Sequence, residues 1–165
     1  MRHLAMGLAV LAALPVAAQA ANSAWGTFAA GGSAGVGVVG SEGAQLMIKC
    51  DKAGEKSVYA IVTTRGTLVP PSERPVLHPV KIRFDGKPPV DDRWRFVGNT
   101  AAAVNAGNEA SLTRFLGGLN NAESLELEFY ADPARRTPTT VKFGVAGAKD
   151  AIAQAFSTCH DHQPA

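Results

Sequence analysis

The stretch His78-Pro79-Val80-Lys81-Ile82-Arg83-Phe84-Asp85-Gly86-Lys87-Pro88-Pro89-Val90-Asp91-Asp92-Arg93-Trp94-Arg95-Phe96-Val97 decides the fold class. Val80, Ile82 and Phe84 alternate with Lys81 and Arg83, and Trp94 and Phe96 alternate with Arg93 and Arg95. A period of two is the signature of strands with one buried face. Asp85-Gly86 between the runs is a turn pair that tolerates positive φ. Two strands joined by so short a link pair antiparallel, because a parallel pair needs a crossover of a dozen residues or more.

The same pattern recurs on both sides. Gln45–Cys50 places Leu46, Ile48 and Cys50 on one face, and after the polar turn 51–56 the segment Ser57–Thr64 reads as the returning strand. Residues 25–40 are rich in Gly, Ala and Val and hold one or two short strands of weak register. Val69-Pro70-Pro71-Ser72 with Pro75 is a stiff connector. Ser124–Tyr130 turns Leu125, Leu127 and Phe129 inward and Glu126 and Glu128 outward. Thr139–Val145 turns Val141, Phe143 and Val145 inward and leaves Lys142 to pair with Glu126 or Glu128.

Two segments break to helical spacing. Leu112, Phe115, Leu116 and Leu119 form one stripe, with Asn108 as the expected N-cap and Gly117-Gly118 weakening or ending the last turn. Ala148, Ala151, Ile152, Ala155, Phe156 and Cys159 form a second stripe. The expected fold is α+β, an antiparallel sheet of sandwich or barrel type carrying two amphipathic helices.

Met1-Arg2-His3, the uncharged run Leu4–Val16 and the small residues of Ala18-Gln19-Ala20 make a secretory signal peptide cleaved after about Ala20. The apolar run is shorter than the roughly 20 residues of a membrane span and is broken by Pro15, and no later segment reaches that length. Residues 21–165 are then one periplasmic or secreted domain. Removing residues 1–20 leaves 145 residues and takes Arg2 with it, so the formal charge falls from +2 to +1. That balance excludes a nucleic-acid binder. In an exported chain, two cysteines without Cys-x-x-Cys spacing, each on an apolar face, favour a Cys50–Cys159 disulfide over two separate buried thiols.

No set of residues forms a catalytic, cofactor-binding or metal motif. His160-Asp161-His162 lacks further ligands and reads as a solvated tail. Ser72, His78 and Asp85 or Asp91 can be written as a triad, but no nucleophile elbow accompanies them, and His78 reads as an exposed strand edge. Glu126 and Glu128 share a face, as glycosidase acids do, with Lys142 offering a neutral explanation. Lys81, Arg83, Arg93 and Arg95 would lie together on the solvent face if their strands pair, partly neutralised by Asp85, Asp91 and Asp92.

Leu46-Met47-Ile48-Lys49-Cys50, Lys81-Ile82-Arg83-Phe84-Asp85-Gly86, Trp94, and Val141-Lys142-Phe143-Gly144-Val145 ahead of a helix and Cys159 resemble a family of small exported proteins associated with type VI secretion. The likeness spans roughly residues 44–160, although His160-Asp161 stands where that family often has an aromatic residue after its last Cys. The resemblance implies a small periplasmic domain with one disulfide and no assigned catalysis. The functional expectation is a non-enzymatic binding or accessory module of the cell envelope, without cofactor. Its partner would be an envelope or secreted protein or an anionic envelope component, met at Lys81, Arg83, Arg93 and Arg95. The rivals are an envelope hydrolase with a carboxylate or histidine site and a protein inhibitor of a cell-wall-degrading enzyme.

Overall fold

A computed structural model describes residues 24–52, 57–71, 74–131 and 137–164. The expected signal peptide and Ser72 lie outside the described residues. In chain order the strands are β1 (Gly26–Ala30), β2 (Ser33–Val39), β3 (Gln45–Cys50), β4 (Tyr59–Thr63), β5 (Val76–Phe84), β6 (Val90–Val97), β7 (Thr100–Ala103), β8 (Asn105–Ala106) and β9 (Glu109–Ala110). Helix α1 (Ser111–Leu119), strands β10 (Ser124–Phe129) and β11 (Thr139–Gly144), and helix α2 (Ala148–Thr158) complete the chain. Nine strands form one wholly antiparallel sheet, ordered β1-β2-β3-β4-β7-β6-β5-β10-β11, and β8 and β9 make a separate hairpin.

Alternation sets which face is buried. Leu46, Ile48, Val62, Val80, Ile82, Trp94, Phe96, Leu125, Leu127, Phe129, Val141 and Phe143 point to one face, where they join the stripes of α1 and α2 in a single core. Trp94 meets Phe115 of α1 edge-on at 5.0 Å, and Phe96 meets Phe129 likewise at 5.6 Å, the geometry aromatic rings prefer. The sheet curls around this core until β11 returns toward β2. There the Lys142 backbone N–H donates to Ser41 Oγ (2.9 Å) and the Trp25 indole N–H donates to the Val145 carbonyl (3.4 Å).

Three departures from the sequence expectation have physical causes. Residues 100–103, Thr-Ala-Ala-Ala, carry weak strand propensity, yet β7 sits between β4 and β6 with Ala101 and Ala103 fully buried. Its position forces β5 to the far side of β6. The connector after β4 is pinned where the Leu68 and Val69 N–H groups donate to the Gly98 carbonyl. Helix α1 starts at Ser111 with no side-chain cap at Ala110, because Asn108 is spent in the turn of the β8–β9 hairpin. It also runs through Gly117-Gly118 to Leu119, since Gly118 lets the helix lie against the Phe84 ring.

Cys50 and Cys159 form a disulfide, as their apolar faces predict, and both are fully buried. Among the described residues no helix is long and apolar enough to cross a membrane.

Candidate functional site

The face of the sheet opposite the helices carries the charges. Lys81, Arg83, Arg93 and Arg95 all project there, but the register spreads them out. Lys81 stands opposite Asp91, Arg93 opposite Pro79, and Arg95 opposite Leu77, so Arg83 and Arg95 lie toward opposite ends of the β5–β6 ladder. Lys81 and Arg93 are diagonal neighbours near its middle.

Each cation has a different surrounding. Arg83 is opposite Glu126 on β10 and bridges both acids of that strand, Nε to Glu126 at 3.3 Å and Nη2 to Glu128 at 3.8 Å. Lys142 reaches Glu126 from the other side at 3.0 Å. Its hydrogen bond, followed by its charge and that of Arg83, holds the Glu126 carboxyl below the usual carboxylate range. That is the wrong direction for a general acid, which needs a raised value. Arg95 is held by Glu109 of β9 through two hydrogen bonds, at 3.0 and 3.1 Å. Lys81 lies over the Tyr130 ring, 5.6 Å from its centre, and the Tyr130 hydroxyl donates to Glu128. Arg93 makes no ion pair among the described residues.

The three acids expected to offset these cations behave differently. Asp85, at positive φ in the β5–β6 turn, accepts the backbone N–H groups of Ser124 and Glu123, which hold its carboxyl low. Asp91 stays on the charged face. Asp92 turns inward and takes no part in neutralising it.

His78 lies beyond the β10 register, which ends at Val80, so β5 has only β6 beside it there; the side chain is half-buried, with its ring 5.1 Å from that of Phe96. In the C-terminal triplet Asp161 is half-buried and accepts the Val58 N–H at 3.4 Å, tying the tail to the approach of β4. Among the described residues no group of three His, Cys, Asp or Glu side chains is placed to hold a metal.

A cleft of about 600 Å³ opens beside this face, between β5–β6 and the β8–β9 hairpin. Its walls include Leu77, Pro79, Arg93, Glu109 and Arg114, with Asp92 and Ser111 also lining it. Asp92 is the residue that sequence reasoning missed. It shares the inward phase of Trp94 and Phe96, and a carboxylate in an apolar phase demands partners. Arg114, off the apolar stripe of α1, supplies one. Comparison with protein-family models, with curated proteins and with solved structures returns no match.

Proposed function

We propose that the chain, freed of residues 1–20, is a non-enzymatic binding module of the cell envelope that meets its partner through the outer face of β5, β6 and β10. The observation that carries this reading is a sheet face left uncovered by both helices, on which Arg93, beside Lys81, makes no ion pair among the described residues. Such cations speed encounter with an anionic surface and fix its orientation. The depressed Glu126 carboxyl speaks against the general-acid role that a hydrolase would assign it. A buried disulfide suits an oxidising compartment. The secretion-associated role implied by the resemblance, and inhibition of a cell-wall-degrading enzyme, are two forms this binding could take.

The test is retention of an envelope partner by tagged mature protein. Lys81→Glu with Arg93→Glu should weaken retention more at low salt than at high, with an unchanged melting temperature. Replacing His78, His160 and His162 together by Gln should leave retention intact. Turnover of an envelope substrate by purified protein, abolished by that histidine variant, would place the protein among the hydrolases instead.

A further inference from the structure

The cleft beside the sheet has a chemistry that the sheet-face reading does not use. Asp92 is the starting point, since only 3% of its side chain is exposed. Its Oδ1 accepts three hydrogen bonds: from its neighbour's Arg93 N–H at 2.8 Å, from Ser111 Oγ at 3.1 Å and from Arg114 Nη2 at 2.5 Å. Its Oδ2 has no partner among the described residues. A buried carboxylate thus orients Arg114, whose side chain is 52% exposed and lines the cleft. Nη2 is committed to Asp92 and, at 3.2 Å, to Ser111 Oγ. The donors on Nε and Nη1 remain.

Arg93, which makes no ion pair among the described residues, adds a second guanidinium with donors to spare. Two of the acids nearby are engaged, Glu109 by Arg95 and Asp92 by Arg114, and Asp91, which also lines the cleft, stands across the ladder from Lys81. The guanidinium donors left over, on Arg93 and on Nε and Nη1 of Arg114, match a carboxylate in planar, two-pronged fashion. Three carboxylates close by disfavour a dianion and leave room for a single negative charge. Leu77, 37% exposed, and Pro79 give the same cleft an apolar wall. A volume of about 600 Å³ accommodates a small ligand or the end of a peptide.

We propose that this cleft binds a carboxylate flanked by an apolar group, the carboxylate on Arg114 and Arg93 and the apolar group against Leu77 and Pro79. Asp92 acts through Arg114 as a positioning residue. Two sources share this chemistry, a free aliphatic acid and the C-terminal residue of a peptide. The site shares Arg93 with the proposed sheet-face contact and is told apart from it by Arg114, which belongs to α1.

The test is a titration of the disulfide-intact mature protein followed by amide chemical shifts. N-acetyl-leucine should shift residues around Arg93, Glu109 and Arg114 saturably at millimolar concentration, and N-acetyl-leucinamide, which lacks the charge, should not. An acetylated tripeptide ending in leucine assigns the source: tighter binding points to a peptide end, equal or weaker binding to the free acid. Arg114→Gln should weaken N-acetyl-leucine at least tenfold, and Arg93→Gln, altering an exposed side chain, should do so without any folding penalty. Equal binding of acid and amide, no saturable shift, or unchanged affinity in Arg114→Gln would overturn the site. Loss of carboxylate binding in Arg114→Gln with envelope-partner retention intact would separate the two readings.

Discussion

Gly117 and Gly118 are neighbours in α1 with opposite requirements. A Cβ on Gly118 would fall within 2.1 Å of the Phe84 ring, whereas one on Gly117 meets nothing within 4 Å. Gly118→Ala should therefore destabilise by about 1–3 kcal/mol through overpacking. Gly117→Ala should stabilise by up to about 1 kcal/mol, the ordinary helix preference for alanine. Urea denaturation of the two variants checks both signs, and a similar cost at the two positions would contradict the packing described. From sequence the Gly pair reads as a helix end, since glycine is a poor helix former and the ring that requires one of them lies on a distant strand. Asp92 was more legible: its inward phase could be counted off along β6, but its partners Ser111 and Arg114 depend on where α1 docks, which periodicity does not tell.

The hairpins β3–β4, β5–β6 and β10–β11 and both helices are written in alternation and stripe, because each buries one face locally. β7 is not, since its alanines are strand-like only when held between β4 and β6. Across β5, β10 and β11 runs a row of opposite charges, Arg83, Glu126, Glu128 and Lys142, that couples three strands. The Glu126 carboxyl is lower in the folded chain than in the unfolded one, chiefly through the Lys142 hydrogen bond. Its ionised form thus stabilises the fold above the unfolded value, and that contribution is lost as pH falls through the folded one. Asp85 acts in the same direction. Urea midpoints should therefore fall from neutral pH to about pH 3, and the fall should be shallower in Lys142→Gln. An identical pH slope in that variant would remove Lys142 from the account.

At the scale of the molecule, the curled sheet is held to its last helix by one covalent link between residues 109 apart. On chain entropy such a loop stabilises by about 4–5 kcal/mol, a large share of what a domain of this size possesses. Cys50→Ser, Cys159→Ser and the double variant should each melt well below the parent, and the parent under reductant should match them. Equal melting temperatures with and without reductant would show that packing of α2 on β2 and β3 suffices. Because β3 comes early and Cys159 follows α2, the two sulfurs can meet only after β4 to β11, α1 and α2 have been made. A chain stalled or cut anywhere between them shows a lone thiol, and a finished one shows none. Closure of this one bond thus reports that synthesis has passed α2, since the bridge needs both sulfurs on one chain.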